Sequence, residues 1–253
     1  MSGAHARTLY VPGDSVVHRL PAHLKLVATV ATVLAVVAAP RERFWAFAAL
    51  AGLVVLTAAV ARIPPGLVAR RLLIELPFVG FALLLPFVAR GERTDVLGLS
   101  LSLEGLWGAW ELLATATLGV ACSILLAATT PLRELLTGLE RLRMPTLIVQ
   151  IMSFMIRYAD VVADELHRMR IARESRGFVA RDVRHWPVLA RSAGALFVRC
   201  YERGERVHLA MLSRSYAGRM PHHETHAVPA AQWWLALSVP AVAVAISAAA
   251  RAL

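Results

Sequence analysis

Five apolar segments are the feature that most constrains how this chain can fold. A helix that crosses a bilayer needs roughly 17–25 mostly apolar residues. The whole chain is 58% hydrophobic, with a mean hydropathy of +0.59, whereas about half is expected in a soluble domain. We therefore predict an all-α, polytopic membrane protein with about five transmembrane helices, at Leu24–Ala39, Phe44–Ala61, Leu72–Ala89, Leu106–Thr129 and Trp233–Ala250.

The basic residues predict the orientation of these spans. Lys25 is the only lysine among 27 basic residues. If the N-terminus is cytoplasmic, 22 of them fall on the cytoplasmic side and 5 on the outer side. Short cytoplasmic loops of membrane proteins carry such an excess of Lys and Arg. We predict a multi-pass protein of the cell inner (plasma) membrane, with the N-terminus inside and the C-terminus outside.

The stretch from residue 142 to 216 combines many arginines with a strong helical pattern. Apolar residues recur at the i, i+3, i+4 spacing of one helix face, which predicts two long amphipathic helices at Thr146–Arg176 and Val188–Tyr216. The apolar start, Thr146–Ile156, has eleven residues before Arg157. Because this is too short to cross a bilayer, we predict that it does not span the membrane. We predict three regions: 1–130 with four spans, 131–230 with the cytoplasmic helices, and 231–253 with the last span.

Each long helix ends in an arginine that is flanked by small residues. A cation at a helix C-terminus is favoured by the helix dipole, and a guanidinium group is suited to binding a carboxylate or phosphate. Small neighbours would let another surface approach. From the residues alone, ordinary helix-end arginines remain an alternative, since the chain has many arginines. The two motifs are Ser175-Arg176-Gly177 and Ser213-Arg214-Ser215.

Several signatures of chemistry are missing from the sequence. There is no G-x-x-x-x-G-K-[ST] loop for nucleotide phosphates, and no G-x-S-x-G or H-E-x-x-H hydrolase motif. His222, His223 and His226 could ligate a metal, but no cysteine is nearby and we predict a polar loop without metal. The arginines of the basic stretch are interleaved with acids, which argues against nucleic acid as a partner.

The chain resembles the transmembrane T component of energy-coupling factor (ECF) transporters, most closely the cobalt-transport type. The resemblance covers most of the chain and is densest over 140–216. The residues that carry it are Leu142-Arg143-Met144-Pro145, Phe154-Met155-Ile156-Arg157-Tyr158, Asp164-Glu165, Ala172-Arg173-Glu174-Ser175-Arg176-Gly177, Ala210-Met211-Leu212-Ser213-Arg214 and His23-Leu24-Lys25-Leu26.

This resemblance implies a non-catalytic subunit that works with two ATP-binding cassette ATPases and a substrate-binding S component. The long helices would be a crossed pair of coupling helices, and their small-Arg-small motifs would dock into grooves of the ATPases. The family pattern is usually Ala-Arg-Gly, so Ser215 departs from it. ATP and Mg would be bound by the ATPases, and no cofactor by this chain; membrane lipid is the remaining partner.

The predicted function is therefore coupling in an ATP-driven importer for cobalt or nickel. A vitamin such as biotin is an alternative cargo, and a membrane enzyme with an Arg-rich cytoplasmic site is an alternative class of protein. Methionine-rich faces repack readily, so the methionines of the long helices are predicted to contact the S component, although ordinary core packing is the other interpretation. These residues are Met152, Met155, Met169 and Met211.

Overall fold

The computed structural model describes residues 9–89, 93–96, 99–178, 182, 185–218 and 229–252. The described residues are mostly helical, so the predicted helical membrane fold is confirmed. The elements are α1 Val16–Arg19, α2 Ala22–Val37, α3 Phe44–Val60, α4 Pro65–Leu72, a 3₁₀ turn Leu73–Glu75, α5 Leu76–Val88, β1 Arg93–Val96, β2 Leu99–Ser102, α6 Leu103–Thr129, α7 Leu132–Arg141, α8 Thr146–Glu174, α9 Trp186–Leu212 and α10 Ala230–Ala252.

A short β-hairpin departs from the predicted all-α fold. Strands β1 and β2 pair in antiparallel register, with Arg93 opposite Ser102 and Val96 opposite Leu99. The sequence analysis passed over this segment as the connection between two spans. Its Leu-Ser-Leu-Ser alternation has the period of two that indicates a strand, and Ser102 then caps α6 by accepting a hydrogen bond from the Gly105 amide at 3.3 Å.

Among the described residues, four helical segments are long and apolar enough to cross a membrane. They are Pro65–Val88, α6, α8 and α10, whereas α2 and α3 are shorter apolar helices of 16 and 17 residues. The third predicted span starts at Pro65 instead of Leu72, because α4, the 3₁₀ turn and α5 run on continuously.

Helix α8 corrects one step of the sequence analysis. It has 29 residues and qualifies as a span by length and composition, so excluding it for being too short was wrong. The count stopped at Arg157, but a longer window that includes Arg157 and Asp160 is still apolar enough. The remaining argument for a cytoplasmic position is the charge density of its second half.

The chain forms two compact units. One comprises Met1–Arg7 and Arg143–His226, and the other comprises Thr8–Leu142 and Ala227–Leu253. Helix α7 packs against α2 and therefore belongs to the second of these units. The predicted boundaries at residues 130 and 230 stay a prediction.

The unit that comprises Thr8–Leu142 and Ala227–Leu253 has its core between α2, α3, α6 and α10. Phe47, Leu50 and Leu118 pack there with small residues such as Ala35 and Ala243. The Ser247 hydroxyl donates a 2.7 Å hydrogen bond from α10 to the Ala35 carbonyl of α2. Small residues and hydrogen bonds of this kind allow close packing of helices in membranes.

Lys25 joins the N-terminal segment to the end of α6. Its side chain is buried, with 5% exposed, and its ammonium donates to the carbonyls of His18 at 3.0 Å and Thr129 at 2.9 Å. A lysine near the end of an apolar helix can extend its side chain to the membrane surface. The two carbonyl acceptors explain why it is buried instead, since a buried charge must be hydrogen-bonded.

Helices α8 and α9 form the main part of the unit that contains Arg143–His226, and they run antiparallel. Gln150 near the start of α8 contacts Tyr216 beyond the end of α9, while Glu165 contacts Arg199 in the middle of α9. Pro145 precedes the first turn of α8 and Pro187 lies in the first turn of α9. Proline is well suited to these positions because it lacks the amide proton that a first turn leaves unbonded.

Candidate functional site: two arginine helix ends

The first arginine motif ends α8 with a specific turn. Gly177 has a left-handed backbone with φ of 76°. The Gly177 amide donates to the Glu174 carbonyl at 3.0 Å, and the Phe178 amide donates to the Arg173 carbonyl at 3.1 Å. This is the Schellman arrangement, in which the last helical carbonyls receive partners. Arg176 is therefore the residue directly before the left-handed turn.

The second arginine motif ends α9 with the same turn. Ser215 has a left-handed backbone with φ of 62°. The Ser215 amide donates to the Leu212 carbonyl at 3.0 Å, and the Tyr216 amide donates to the Met211 carbonyl at 3.1 Å. Arg214 takes the place in this turn that Arg176 takes in the first. The two motifs thus share a backbone geometry as well as a sequence pattern.

The serines before the arginines also match. The hydroxyl of Ser175 donates to the Ala172 carbonyl at 3.1 Å, and that of Ser213 donates to the Ala210 carbonyl at 3.0 Å. These bonds hold the serine side chains against their own helices, so they do not cover the neighbouring arginine.

Both arginines are free to receive an anionic group. Arg176 and Arg214 are exposed, and neither forms an ion pair with any other residue that the structure describes. Each lies at the negative end of a helix dipole, which favours a cation. Such a helix end can be inserted into a groove that presents carboxylates.

Because α8 and α9 are antiparallel, the two arginine motifs lie at opposite ends of the pair. Helix α9 has 27 residues and is about 40 Å long at 1.5 Å per residue. The motifs therefore present two similar contacts that are widely separated along the helix pair.

An aromatic residue follows each motif, and the sequence analysis missed both. Phe178 and Tyr216 are half-buried. The Phe178 and His185 rings pack edge-on, with their centroids 5.2 Å apart. The Tyr216 hydroxyl donates a hydrogen bond to Gln150 Oε1 at 2.9 Å. The signal was available, because the sequence has Ser-Arg-small-aromatic twice and a hydrophobic residue commonly follows a Schellman turn.

Ion pairs connect the middle of α8 to α9. Glu165 accepts from Arg168 at 2.7 Å and also contacts Arg199 across the pair. The two guanidinium groups, Arg168 first and then Arg199, lower the pKa of the Glu165 carboxyl. Asp164, four residues before Arg168 on the same helix, does not form the ion pair with it. Glu165 is the acceptor because it also faces α9.

Two of the four predicted methionines share a groove between α8 and α9. The groove has a volume of about 530 Å³ and is lined by Met155, Met211, Phe154, Tyr158 and Val207, among others. Met155 is 67% exposed. Met152 and Met169 are half-buried and do not line this groove. The predicted role of all four in binding an S component stays a prediction.

The described residues contain no group of three or more His, Cys, Asp or Glu side chains that could hold a metal ion. The cluster of His222, His223 and His226 lies outside the described residues. The prediction that it binds no metal therefore stays a prediction.

Comparison with known families places this chain among transport proteins. The sequence profile of the family CbiQ, described as cobalt transport protein, matches residues 13–226. The match covers both arginine motifs and the four predicted spans before them.

Three curated relatives show how far the similarity extends. The cobalt transport protein CbiQ of Rhodobacter capsulatus is 30% identical over 125 residues, which is 49% of this chain and 50% of that protein. The putative fused cobalt transport protein CbiMQ of Methanocorpusculum labreanum is 27% identical over 226 residues, 85% of this chain and 37% of that protein. The energy-coupling factor transporter transmembrane protein EcfT of Ruminiclostridium cellulolyticum is 26% identical over 226 residues, 83% of this chain and 82% of that protein. This chain thus spans half or less of the length of the first two relatives.

Proposed function

The chain belongs to the CbiQ family, the transmembrane components of cobalt and ECF transporters, and we propose that it couples two ATP-binding cassette ATPases to a substrate-binding S component. The observation that carries this proposal is the repeated helix end. Arg176 and Arg214 lie in the same exposed turn at opposite ends of one helix pair. A partner with two equivalent grooves would need such a repeat.

The proposed mechanism is mechanical. ATP binding closes the two ATPases, and Arg176 and Arg214 follow the grooves that hold them. The ion pair between Glu165 and Arg199 supports transmission of this motion, because it joins α8 to α9 near their middle. The groove that contains Met155 and Met211 then repacks against the S component, as flexible methionine side chains can.

The chain is proposed to be non-catalytic and to bind no cofactor of its own. ATP and Mg belong to the ATPases in this proposal, which the missing P-loop supports. The purified chain should show no ATP turnover above a mock preparation from cells with an empty vector. Hydrolysis by the isolated chain would contradict the proposal.

The cargo is proposed to be cobalt or nickel ions. The relatives named for cobalt transport support this, while the EcfT relative has a name without a substrate and leaves a vitamin such as biotin as the alternative. Cells that express the chain with its partner subunits should accumulate cobalt or nickel in an ATP-dependent way. Accumulation of biotin alone would favour the alternative.

Charge reversal at the two arginines tests the coupling role. A desolvated, charge-assisted contact that loses one partner typically costs about 2–5 kcal/mol. Arg176→Glu and Arg214→Glu should each weaken capture of the ATPases by the tagged chain, and the double variant should abolish capture and uptake. Each Glu also adds repulsion against the acidic groove that we expect.

Arg170→Glu is the matched control. Arg170 lies six residues before Arg176, is exposed, and pairs with Glu174 at 2.7 Å. Exposed pairs contribute about 0–1 kcal/mol, so this variant should still capture the ATPases. Arg168 is less suitable, because it shares Glu165 with Arg199. If the double variant captures the ATPases as well as Arg170→Glu does, the coupling assignment is wrong.

A further inference from the structure

The two arginine motifs differ in how their left-handed turns are maintained. Gly177 adopts a positive φ at no steric cost, since it has no Cβ. Ser215 has the same kind of backbone, with φ of 62°, which side chains other than glycine disfavour. Something else must therefore hold the second turn in place.

A hydrogen bond from Tyr216 supplies this support. The Tyr216 hydroxyl donates to Gln150 Oε1 at 2.9 Å, and Gln150 Nε2 donates in turn to the Gly218 carbonyl at 3.4 Å. Gln150 lies in the second turn of α8, so both contacts tie the chain beyond Ser215 to the other helix. The corresponding residue of the first motif, Phe178, has no hydroxyl and contacts His185 instead.

We propose that Tyr216 and Gln150 are positioning residues that keep Arg214 in its docking geometry. By fixing the residue after Ser215 to α8, they hold Ser215 in the left-handed turn and Arg214 at the end of α9. The inference rests on the proposed function, because it assigns Tyr216 a role in the docking of Arg214.

The expected change in the Kd for the ATPases follows from the fraction of molecules whose turn at Ser215 is competent for docking. If only a fraction of the molecules has a competent site, the apparent Kd rises by the inverse of that fraction. Loss of one hydrogen bond typically changes an equilibrium constant by about fivefold. Tyr216→Phe keeps the ring and removes the hydroxyl, so it should weaken ATPase binding by about fivefold. Ser215→Gly in the same chain should restore binding, because glycine adopts the turn unaided.

Two measurements on the full chain in detergent micelles test the proposal. The first is hydrogen exchange at the Ser215 and Tyr216 amides, which donate to Leu212 and Met211 and should exchange about fivefold faster in Tyr216→Phe. The second is the Kd for the ATPase subunits that co-purify with the tagged chain. Gln150→Leu removes the bond from Tyr216 and also the bond to the Gly218 carbonyl, so both effects should be at least as large. Adding Tyr216→Phe to Gln150→Leu should change little more, because the Tyr216 hydroxyl has then already lost its acceptor.

Tyr201→Phe is the control for removing a tyrosine hydroxyl from this region. Tyr201 is exposed on α9, and its hydroxyl makes no hydrogen bond to another described residue. This variant should change neither exchange nor Kd.

The outcomes separate the inference from the proposed function. Rescue of Tyr216→Phe by Ser215→Gly supports the inference, whereas a merely structural defect would persist. If Arg214→Glu weakens docking but Tyr216→Phe leaves the Kd unchanged, the inference alone is overturned. If Arg214→Glu leaves docking unchanged, the coupling assignment is wrong and the inference falls with it.

Discussion

Arg176 and Arg214 each directly precede a residue with a left-handed backbone. That turn explains why glycine suits the third position of the motif. A residue other than glycine costs about 1–2 kcal/mol in this conformation, so Ser215 makes the second helix end less stable than the first. Ser215 departs from the usual family pattern, and its positive φ is the physical reason why this departure should weaken docking.

Gly177→Ser tests this reasoning at the first motif. A Cβ added to Gly177 would meet nothing within 4 Å, so the only penalty is the backbone conformation, about 1 kcal/mol. We expect ATPase binding to weaken by about fivefold. Gly194→Ser is the control, because Gly194 also has open space but lies within helix α9, where serine is tolerated. Equal affinities for the two variants would show that the left-handed turn does not limit docking.

Among the secondary-structure elements, the two long helices α8 and α9 could be predicted well from the sequence. Helix α8 begins at Thr146 as predicted and ends at Glu174, two residues before the predicted end. Helix α9 spans Trp186–Leu212, against a predicted Val188–Tyr216. Proline marks both beginnings and the amphipathic period marks the interiors, and these signals are local in the chain. The predicted end of α9 was late because serine marks a left-handed turn less clearly than glycine does; the repeated Ser-Arg-small-aromatic pattern was the signal that could have placed it.

Contacts between distant residues could not be predicted in this way. Tyr216 and Gln150 are 66 residues apart in sequence, and nothing local links them. Arg168 had two acidic neighbours on its own helix, and only the presence of Arg199 on α9 explains the choice of Glu165. The same holds for Lys25, whose two carbonyl acceptors come from different elements.

Close packing of α6 against α5 depends on Gly105. A Cβ at this position would lie 2.6 Å from the Leu85 carbonyl oxygen and 2.7 Å from the Pro86 Cα. Backbone atoms cannot move away as side-chain ends can, and overpacking typically costs about 1–3 kcal/mol. Gly105→Ala should therefore lower the thermal unfolding temperature of the chain in detergent.

Gly119→Ala is the control within the same helix. A Cβ at Gly119 would meet nothing within 4 Å, and alanine has a higher helix propensity than glycine. This variant should leave the unfolding temperature unchanged or raise it slightly. A Gly105→Ala protein as stable as Gly119→Ala would show that α5 and α6 are not packed this closely.

The membrane topology of the protein depends on whether helix α8 crosses the membrane. By length and composition α8 could cross a membrane. From its twelfth residue onward, however, it carries Arg157, Asp160, Asp164, Glu165, Arg168, Arg170, Arg173 and Glu174. Charged side chains in the bilayer interior are costly, and the excess of basic residues also favours the cytoplasm for this region. We therefore propose a cytoplasmic N-terminus, five spans and an outer C-terminus.

The two topologies place two positions on opposite sides of the membrane. With a cytoplasmic N-terminus and α8 in the cytoplasm, Asp182 is inside and Arg251 is outside. If α8 crosses and α9 does not, α10 becomes the sixth span, so Asp182 is outside and Arg251 is inside.

Single cysteines at these positions, in a background with Cys122→Ala and Cys200→Ser, can be labelled in intact cells with a membrane-impermeant thiol reagent. We expect labelling of Arg251→Cys, and labelling of Asp182→Cys only after the cells are permeabilised. The reverse pattern would make α8 a span, and it would remove Arg176 from the side of the membrane where ATP is hydrolysed.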